Sequence, residues 1–330
     1  MATSNWRHGW LGALCCGVAL LAAAAMGGVA RAQDFPSRPI RFIVPFPPGS
    51  GTDTEARHFA IKLSEIIGQS VVVENRPGGN GFIAVRAVLA APADGYTVFI
   101  GSNSTLAVNA ALFKALPYDP VHDFKPLTMM MRSPALLVVP GNSPYKTLRE
   151  LVADAKAHPG KIDYGAGSAG YQLMAELFNV MADVKTNHIP FKGASEATAA
   201  VTAGTVGMSF AEVTSAGELV RSGKVRALAV ASDKRVPSLP DVPTSAEAGL
   251  PGFTAYTWVA GMVSAKTPPD VADKLAQLMT RIENMPETRA FNDRLGIETL
   301  QGGPAELHEF QNKEIELWKR IAKQANIELL

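Results

Sequence analysis

The sequence predicts an α/β fold of two lobes, and three of its patterns support this prediction. Short β-type runs alternate with helical segments between residues 40 and 100, which is typical of a parallel sheet covered by helices. The same alternation begins again after a bridge at Tyr118-Asp119-Pro120 and continues to residue 210. From Pro268 to the end, apolar residues recur at helical spacing, and we expect this tail to pack on the first lobe.

Each predicted element has a local signal of its own. The first unit begins with the apolar run at 40–44, and a loop rich in Pro and Gly leads into a helix at 54–67 that Gly68 ends. Strands at 71–73 and 97–100 and a helix ending near residue 90 complete this unit. The second unit has predicted strands at 136–139, 162–164, around 188 and 206–210, and predicted helices at 147–158, 171–181 and 194–203.

The N-terminal segment, residues 1–32, is predicted to be a secretory signal peptide. Arg7 and His8 precede an apolar run at about 10–25, and the small-residue exit Ala30-Arg31-Ala32 places cleavage between Ala32 and Gln33. A membrane anchor is the alternative, but glycines interrupt the run and no stop-transfer pattern follows. Cleavage would also remove both cysteines of the chain, Cys15 and Cys16, so thiol catalysis, a Cys-ligated metal and disulfides are not expected.

The composition argues against several function classes. The chain has 31 basic and 30 acidic residues, a balance that offers no general attraction to nucleic acid. Its six histidines lack metal-ligand spacing, and it has no G-x-S-x-G nucleophile motif. The G-x-G-x-x-G run at 165–170 is followed, where a dinucleotide site needs an acidic residue, by Asn187-His188-Ile189-Pro190. We therefore expect no catalytic residue, metal or cofactor.

Five loops that follow predicted strands are the candidate ligand site, because ligands of open α/β sheets bind beyond the carboxyl ends of the strands. They are rich in neutral hydrogen-bond donors and poor in acid–base pairs, a composition that favours binding over catalysis. The loops are 45–53, 101–105, 165–170, 190–193 and 211–215. The candidate residues, which include Tyr171 and Trp258 outside these loops, are Phe46, Pro47, Pro48, Gly49, Ser50, Asp53, Ser102, Ser104, Thr105, Gly167, Ser168, Tyr171, Lys192, Gly193, Glu212 and Trp258.

Several of these candidates also have a purely structural interpretation. Asp53 is a residue type that caps helices or braces loops. Lys192 is more often a solvated loop cation, and Trp258 a core residue. Glu212 is unexpected near an anion, so it either points away from the cleft or binds an ammonium group of the ligand. Ser104 lies in a run richer in hydroxyls than a cap requires.

An ordered series of short motifs resembles the Bug (Bordetella uptake gene) receptors, the extracytoplasmic solute-binding components of tripartite tricarboxylate transporters. The series extends over nearly all of the chain after residue 35. The motifs are PSRPI at 36–40, VPFPPG at 44–49, ENRPG at 74–78, ADGYT at 93–97, LPYDP at 116–120, PFKG at 190–193, GKVRALAV at 223–230, LPDVPT at 239–244 and EAGLPG at 247–252.

The resemblance implies a two-lobed periplasmic-binding-protein fold with a ligand cleft between two α/β lobes. The first lobe would be discontinuous, 33–135 plus 256–330, and the second would be 136–255. It further implies a periplasmic, non-enzymatic monomer that holds one ligand carboxylate with the loops at 45–53 and 102–105. The expected partners are that small carboxylate and the membrane components of the transporter.

The chain departs from the family pattern in three places, all expected on the second-lobe face of the cleft. Gly207 stands where an aspartate is usual, the loop at 211–214 differs, and Tyr171 replaces a smaller polar residue. The identity of the carboxylate therefore stays open among dicarboxylates, tricarboxylates, acidic amino acids and aromatic acids. Two other functions stay open as well: a secreted hydrolase or lyase of small acids, and a ligand-sensing partner of a membrane kinase.

Overall fold

The computed structural model describes residues 35–324 and 326–330. The predicted signal peptide and its cleavage site at Ala32 and Gln33 lie outside these residues. Within the described part of the chain, none of the helices combines the length and the apolar character that crossing a membrane requires. Residues 38–330 pack together as one unit, and the elements below belong to that unit.

Strands and helices alternate along most of the described chain, and the predicted α/β fold class is confirmed. A 3₁₀ turn at Gly79–Gly81 and a π-helical turn at Ser104–Val108 lie between longer elements. In chain order, the strands and helices are β1 (Ile40–Val44), α1 (Gly51–Ile67), β2 (Val71–Asn75), α2 (Phe82–Leu89), β3 (Thr97–Ser102), α3 (Asn109–Leu112), β4 (Phe124–Pro140), α4 (Leu148–Ala157), β5 (Asp163–Ala166), α5 (Ala169–Ala182), β6 (Asn187–Pro190), α6 (Ala194–Thr202), β7 (Met208–Glu212), α7 (Val213–Arg221), β8 (Val225–Val230), β9 (Tyr256–Ser264), α8 (Pro269–Glu283), α9 (Pro286–Leu295), β10 (Glu298–Thr299) and α10 (Pro304–Gln324).

The strands form a mixed sheet in the order β2-β1-β3-β9-β4-β7-β5-β6, and β8 and β10 also pair with β4. The pairs β1–β2, β1–β3, β5–β6 and β5–β7 are parallel, as the sequence predicts. Antiparallel pairs join the two parallel groups, because β9 lies between β3 and β4, and β4 pairs with β7. The centre of the sheet is therefore antiparallel, which the sequence pattern does not indicate.

Strand β4 is the element that connects the two groups. Its residues Phe124–Pro134 pair with β9, whereas Ala135–Pro140 pair with β7 and β8. We call the strands on these two sides the first half-sheet, which includes β1, β2, β3, β9 and β10, and the second half-sheet, which includes β5, β6, β7 and β8. The change of partners at Pro134 and the start of β9 at Tyr256 are compatible with the predicted lobe boundaries, which stay a prediction.

Sequence reasoning places only residues 136–139 of β4 in a strand, and the structure extends it in both directions. Pro126 and Pro134 hide the rest, because proline cannot donate to a strand ladder and usually argues against a central strand. The structure accommodates Pro126 beside a shift in the pairing register with β9. Long buried strands with internal prolines are therefore underestimated by local patterns.

Helix α1 begins three residues earlier than the predicted start at residue 54. Its N-cap is Ser50, whose side chain accepts a hydrogen bond from the Asp53 amide, and Gly68 ends it in a left-handed conformation. Helix α4 matches its prediction more closely because Thr147 and Glu150 form a complete capping box. The earlier start of α1 matters for the site, since it brings the first helical amides to the end of β1.

The C-terminal helices lie against elements near the first half-sheet. Helix α8 contacts β4 and α1, and α10 contacts β4, α3 and the π-helical turn. A buried side chain anchors α10: Gln311 donates from Nε2 to the carbonyl oxygens of Leu106 (2.9 Å) and Pro120 (2.8 Å). These bonds connect the helical tail to the segment that follows β3, where part of the candidate site lies.

Candidate ligand-binding cleft

Residues from both half-sheets converge on a small buried cleft at the carboxyl ends of β1, β3, β5 and β7. The cavity measures about 10 Å³, which is room for about one water molecule, so the cleft is closed in this conformation. Its walls consist of Phe46, Ser50, Thr52, Ser102, Asn103, Ser104, Gly167, Ser168, Tyr171, Ala194, Glu212 and Thr257.

The N-terminus of α1 supplies backbone donors to this cleft. The first amides of a helix have no partner within the helix and carry the positive end of its dipole, so they attract an anion. Gly51 is the first residue of α1, and its amide donates to Oε2 of Glu212 over 2.6 Å. The helix terminus therefore already holds a carboxylate, which comes from the second half-sheet.

Asp53 braces the loop between β1 and α1 and does not line the cleft. Its carboxylate accepts hydrogen bonds from the Gly49 amide (2.9 Å), from Arg57 Nε (3.0 Å) and from Asn75 Nδ2 (2.8 Å). Burial would raise the pKa of Asp53, but these bonds, led by that of Arg57, outweigh burial and lower it. Asp53 therefore shapes the loop and lies outside the cavity wall, and the helix cap is Ser50.

The turn after β3 joins the two sides of the cleft. Ser104 Oγ donates to Ser168 Oγ over 2.9 Å and accepts from the Gly170 amide over 3.2 Å. Thr105, by contrast, uses its hydroxyl within the turn, where it donates to the Ser102 carbonyl. Thr105 is fully buried outside the cavity wall, so the structure does not support it as a ligand contact.

Asn103 is the residue of this turn that has hydrogen-bonding capacity left. Its side chain is buried in the cleft wall, and neither its amide nitrogen nor its oxygen has a hydrogen-bonding partner within residues 35–324 and 326–330. A buried polar group without a partner costs stability, and such groups occur at sites that another molecule completes. Asn103 can offer both a donor and an acceptor to a ligand.

Glu212 points into the cleft, which settles its orientation. The residue is 5% exposed, ends β7, and accepts at Oε2 from the Gly51 amide and from Thr214 Oγ1 (3.3 Å), while Oε1 faces Thr257 Oγ1 at 3.5 Å. Burial raises the pKa of Glu212, although the bond from Gly51 lowers it in part. Burial and the neighbouring Glu212 also raise the pKa of Tyr171 well above its ordinary value.

The structure brings half of the predicted site residues together at the cavity wall: Phe46, Ser50, Ser102, Ser104, Gly167, Ser168, Tyr171 and Glu212. Pro47 and Gly193 instead hold the loops against each other, because a side-chain carbon at Gly193 would approach Pro47 Cδ to 2.5 Å. Pro48 and Gly49 are part of the same loop outside the wall. Lys192 is exposed and lines an outer groove with Phe46 and Glu196.

Trp258 lies in the core and not at the cavity wall. Its side chain is fully buried, and its indole Nε1 donates to Glu314 Oε2 of α10 over 2.9 Å. Gly207, expected on the cleft, also lies elsewhere. It lies just before β7, where its amide donates to the Asp163 carbonyl, at the opposite end of the strand from Glu212. The presence of glycine instead of aspartate at position 207 therefore does not alter the cavity wall.

Four wall residues were not among the predicted site residues: Thr52, Asn103, Ala194 and Thr257. Asn103 had a usable signal, since it sits in a hydroxyl-rich run directly after a strand. Thr52 had no such signal, because its place at the cavity wall depends on the early start of α1. Thr257 had no local signal, because the insertion of antiparallel β9 beside β3 brings it to the cleft.

Comparisons with known proteins place the chain among its relatives. A protein of Bordetella pertussis, BugT, is 34% identical over 313 residues, which cover 94% of this chain and 96% of BugT. A UPF0065 protein encoded between tcbD and tcbE in Pseudomonas sp. strain P51 is 37% identical and covers 92% of the chain and 91% of its own length. Both relatives match along nearly their whole length.

Solved structures give the same picture. A protein of R. palustris with adipate superposes with a TM-score of 0.86 at 33% identity, over 90% of this chain and all of its own. MatC of Rhodopseudomonas palustris with bound malate superposes with a TM-score of 0.82 at 30% identity, over 87% of this chain and 99% of its own. The periplasmic binding protein BugD superposes with a TM-score of 0.84 at 29% identity, over 90% of this chain and all of its own.

The family model described as the tripartite tricarboxylate transporter family receptor matches residues 55–327. The chain belongs to this family of transporter receptors.

Proposed function

We propose that this chain is an extracytoplasmic receptor that captures a small carboxylate and delivers it to the membrane components of a tripartite tricarboxylate transporter. One observation carries the proposal: a buried, donor-lined cleft in which the N-terminus of α1 already holds a carboxylate, that of Glu212. A ligand carboxylate would find the same kind of donors there. The two relatives solved with adipate and with malate support a small acid as the ligand.

The available donors suffice for useful affinity without a bound cation. A hydrogen bond to a charged group contributes about 1.5–3 kcal/mol. Three or four such bonds, from Asn103, the serine hydroxyls and the α1 N-terminus, where the ligand would share the donors with Glu212, would approach the roughly 8 kcal/mol of micromolar binding. Small-acid turnover is not proposed, because the described wall offers a single carboxylate and otherwise neutral groups.

Capture would proceed by closure of two lobes, 33–135 plus 256–330 and 136–255, over the ligand. A ligand that contacts both sides stabilises the closed state by its differential affinity. The receptor would work as a periplasmic monomer after removal of residues 1–32. N-terminal sequencing of the exported protein, with Gln33 as the expected first residue, tests the processing.

The proposed ligand contact can be tested through Asn103. We expect Asn103→Ala to weaken binding of the carboxylate ligand by about tenfold or more, because the amide hydrogen bonds are lost. A thermal-shift screen of dicarboxylates, tricarboxylates, acidic amino acids and aromatic acids identifies the ligand first, since 100 times its Kd stabilises the protein by about 2.7 kcal/mol. Isothermal calorimetry then measures the affinity of both forms.

The matched control is Asn187→Ala, because Asn187 is an exposed asparagine that bonds to Asp163 away from the cleft. Its affinity should equal that of the wild type. Equal loss of affinity in both variants, or none in Asn103→Ala, would rule out the assigned contact. If no acid in the screen stabilises the wild type, the proposed function itself is wrong.

A further inference from the structure

The carboxylate of Glu212 is an unusual component for a cleft that receives an anion. The groups that surround it are donors: the Gly51 amide, the Thr214 hydroxyl, the Thr257 hydroxyl at 3.5 Å, and the neighbouring Tyr171 hydroxyl. Within residues 35–324 and 326–330, no Lys, Arg or His side chain forms an ion pair with it. The closed cleft thus contains a buried acid without a counter-ion.

The backbone is adapted to this acid. A side-chain carbon at Gly51 would lie 2.5 Å from Glu212 Oε2, so only glycine at this position lets the carboxylate approach the helix terminus so closely. The second half-sheet delivers Glu212 from the end of β7, and the first half-sheet delivers Gly51. Glu212 and Gly51 thus reach this contact from opposite sides of the cleft.

The position of Glu212 restricts what a ligand can present. A ligand carboxylate that approaches the α1 terminus meets a second carboxylate there, and two such groups do not share one site without a proton or cation between them. A ligand with a hydrogen-bond donor beside its carboxylate avoids this repulsion, because Glu212 accepts that donor. An ammonium group does so best, since it also neutralises the buried charge.

A second observation agrees with this restriction. Asn103 has an amide oxygen and nitrogen without partners among the described residues at the cavity wall, so the cleft offers a further acceptor as well as a donor. Lys192, the residue that would favour a second ligand carboxylate, is exposed in the outer groove and not at the cavity wall. The inner cleft is therefore richer in acceptors than a site for two carboxylates would be.

We propose that Glu212 is a specificity-determining residue of this cleft: it selects carboxylate ligands that carry an adjacent hydrogen-bond donor, an ammonium group above all, and disfavours plain dicarboxylates. The inference rests on the proposed function and narrows its ligand class. It differs from a structural role for Glu212, which would stabilise the closed cleft for every ligand to the same extent.

Matched ligand series test the proposal directly. The probes are succinate, L-malate and L-aspartate, which share four carbons, and glutarate, L-2-hydroxyglutarate and L-glutamate, which share five. Adipate and L-2-aminoadipate form a six-carbon pair. Calorimetry at neutral pH is performed on the wild type, on Glu212→Gln, and on Glu218→Gln. Glu218 is an exposed glutamate of α7 that pairs with Arg221, so it controls for loss of one acidic side chain.

In the series whose length fits, we expect the wild type to bind the amino acid at least about tenfold more tightly than the plain dicarboxylate, with the hydroxy acid between them. Glu212→Gln should reduce that ratio about tenfold or more, since its amide no longer provides an anionic acceptor. Glu218→Gln should keep the wild-type ratio. The wild-type ranking tests the proposal even if Glu212→Gln fails to fold, as judged by its thermal unfolding.

Two results would overturn the inference while the proposed function stands. One is a wild type that binds the plain dicarboxylates as tightly as their amino or hydroxy counterparts. The other is a Glu212→Gln variant whose affinities all change by the same factor, so that the ratio is unchanged, which is the outcome of a structural role. Absence of binding by every probe and by the broader acid screen would instead reject the proposed function, and the inference with it.

Discussion

Glu55 is the buried acid for which the fold has the least obvious use. It lies on α1 with no exposed surface, and neither carboxylate oxygen has a hydrogen-bonding partner among the described residues. Burial raises its pKa to about 8, and the nearby Asn292 side chain offsets this only in part. At neutral pH the folded protein therefore keeps a proton on Glu55 that the unfolded chain has released.

That proton makes stability depend on pH. Because the folded pKa lies above the unfolded value of about 4.3, the contribution of Glu55 is fully present below about pH 4.3 and is lost as the pH rises toward about 8. One proton gives a slope of up to about 1.4 kcal/mol per pH unit in the free energy of unfolding. We expect Glu55→Gln to flatten this slope, since the amide resembles the neutral acid and does not titrate.

Urea unfolding between about pH 5 and about pH 8 measures the slope for the wild type and the variant. Glu65→Gln is the control, because Glu65 lies on the same helix but pairs with Lys62 at the surface. A residual slope is expected from Glu283, whose pKa burial raises to about 7. An unchanged slope in Glu55→Gln would show that Glu55 is ionised in the folded state.

At the scale of elements, α10 is attached to β9 by one buried carboxylate. Glu314 accepts hydrogen bonds from the indole nitrogens of Trp258 (2.9 Å) and Trp318 (3.2 Å) and from the Tyr256 hydroxyl (3.2 Å). Trp258 lies on β9 and Trp318 on α10, so the carboxylate joins helix to strand. This arrangement accounts for the burial of Trp258 without any ligand.

Removal of this acceptor should destabilise the protein and leave ligand binding intact. Glu314→Ala leaves two buried indole N–H groups without an acceptor, each at a cost of about 1–3 kcal/mol, so we expect a loss of about 2–6 kcal/mol in the free energy of unfolding. Chemical denaturation measures it, and Glu316→Ala, an exposed position of α10 paired with Lys319, is the control. If Glu314→Ala instead weakens the affinity for the carboxylate and leaves the free energy of unfolding unchanged, Trp258 belongs to the ligand site.

The elements that local chemistry specifies were the ones the sequence could predict. Helix α4 has a complete capping box, and α1 ends at a left-handed glycine, so both ends could be placed from the sequence within a few residues. β4 was mostly missed because its prolines contradict a strand, and the role of β9 in the cleft depends on which strand it pairs with. Pairing between distant segments leaves no local pattern.

The same difference, between features with a local sequence signal and features that depend on distant segments, applies to the cleft. Ser104 follows a strand within a hydroxyl-rich turn and Ser168 follows one within a glycine-rich turn, so the sequence pattern alone makes both turns candidate site loops. The direction of Glu212 could not be predicted, since it depends on how closely α1 and β7 approach across the cleft. Gly51 shows why: the absence of a side chain there is meaningful only once the opposing carboxylate is known to lie against it.

For the molecule as a whole, the closed cleft joins two half-sheets that share the continuous strand β4. The hydrogen bonds that cross between them at the cleft include those from Gly51 to Glu212, from Ser104 to Ser168, and from Gly170 to Ser104. These few bonds contribute little free energy compared with the pairing of β4 in both half-sheets, so we expect the cleft to open without unfolding either half. Closure would then be an equilibrium that a ligand, or a covalent link, can shift.

A disulfide across the cleft would capture the closed form. Ser104 Oγ and Ser168 Oγ lie 2.9 Å apart, near enough for two sulfur atoms in their place to bond at about 2.05 Å. The chain's own cysteines, Cys15 and Cys16, lie in the segment predicted to be removed, so they would not compete.

We expect the double variant Ser104→Cys/Ser168→Cys to oxidise readily and to lose ligand uptake until a reductant is added. Mass spectrometry of unreduced peptides detects the bond, and the two single variants are controls. If the double variant stays reduced under mild oxidant, with and without a carboxylate ligand, the two serines do not meet in solution and the closed cleft is not a populated state.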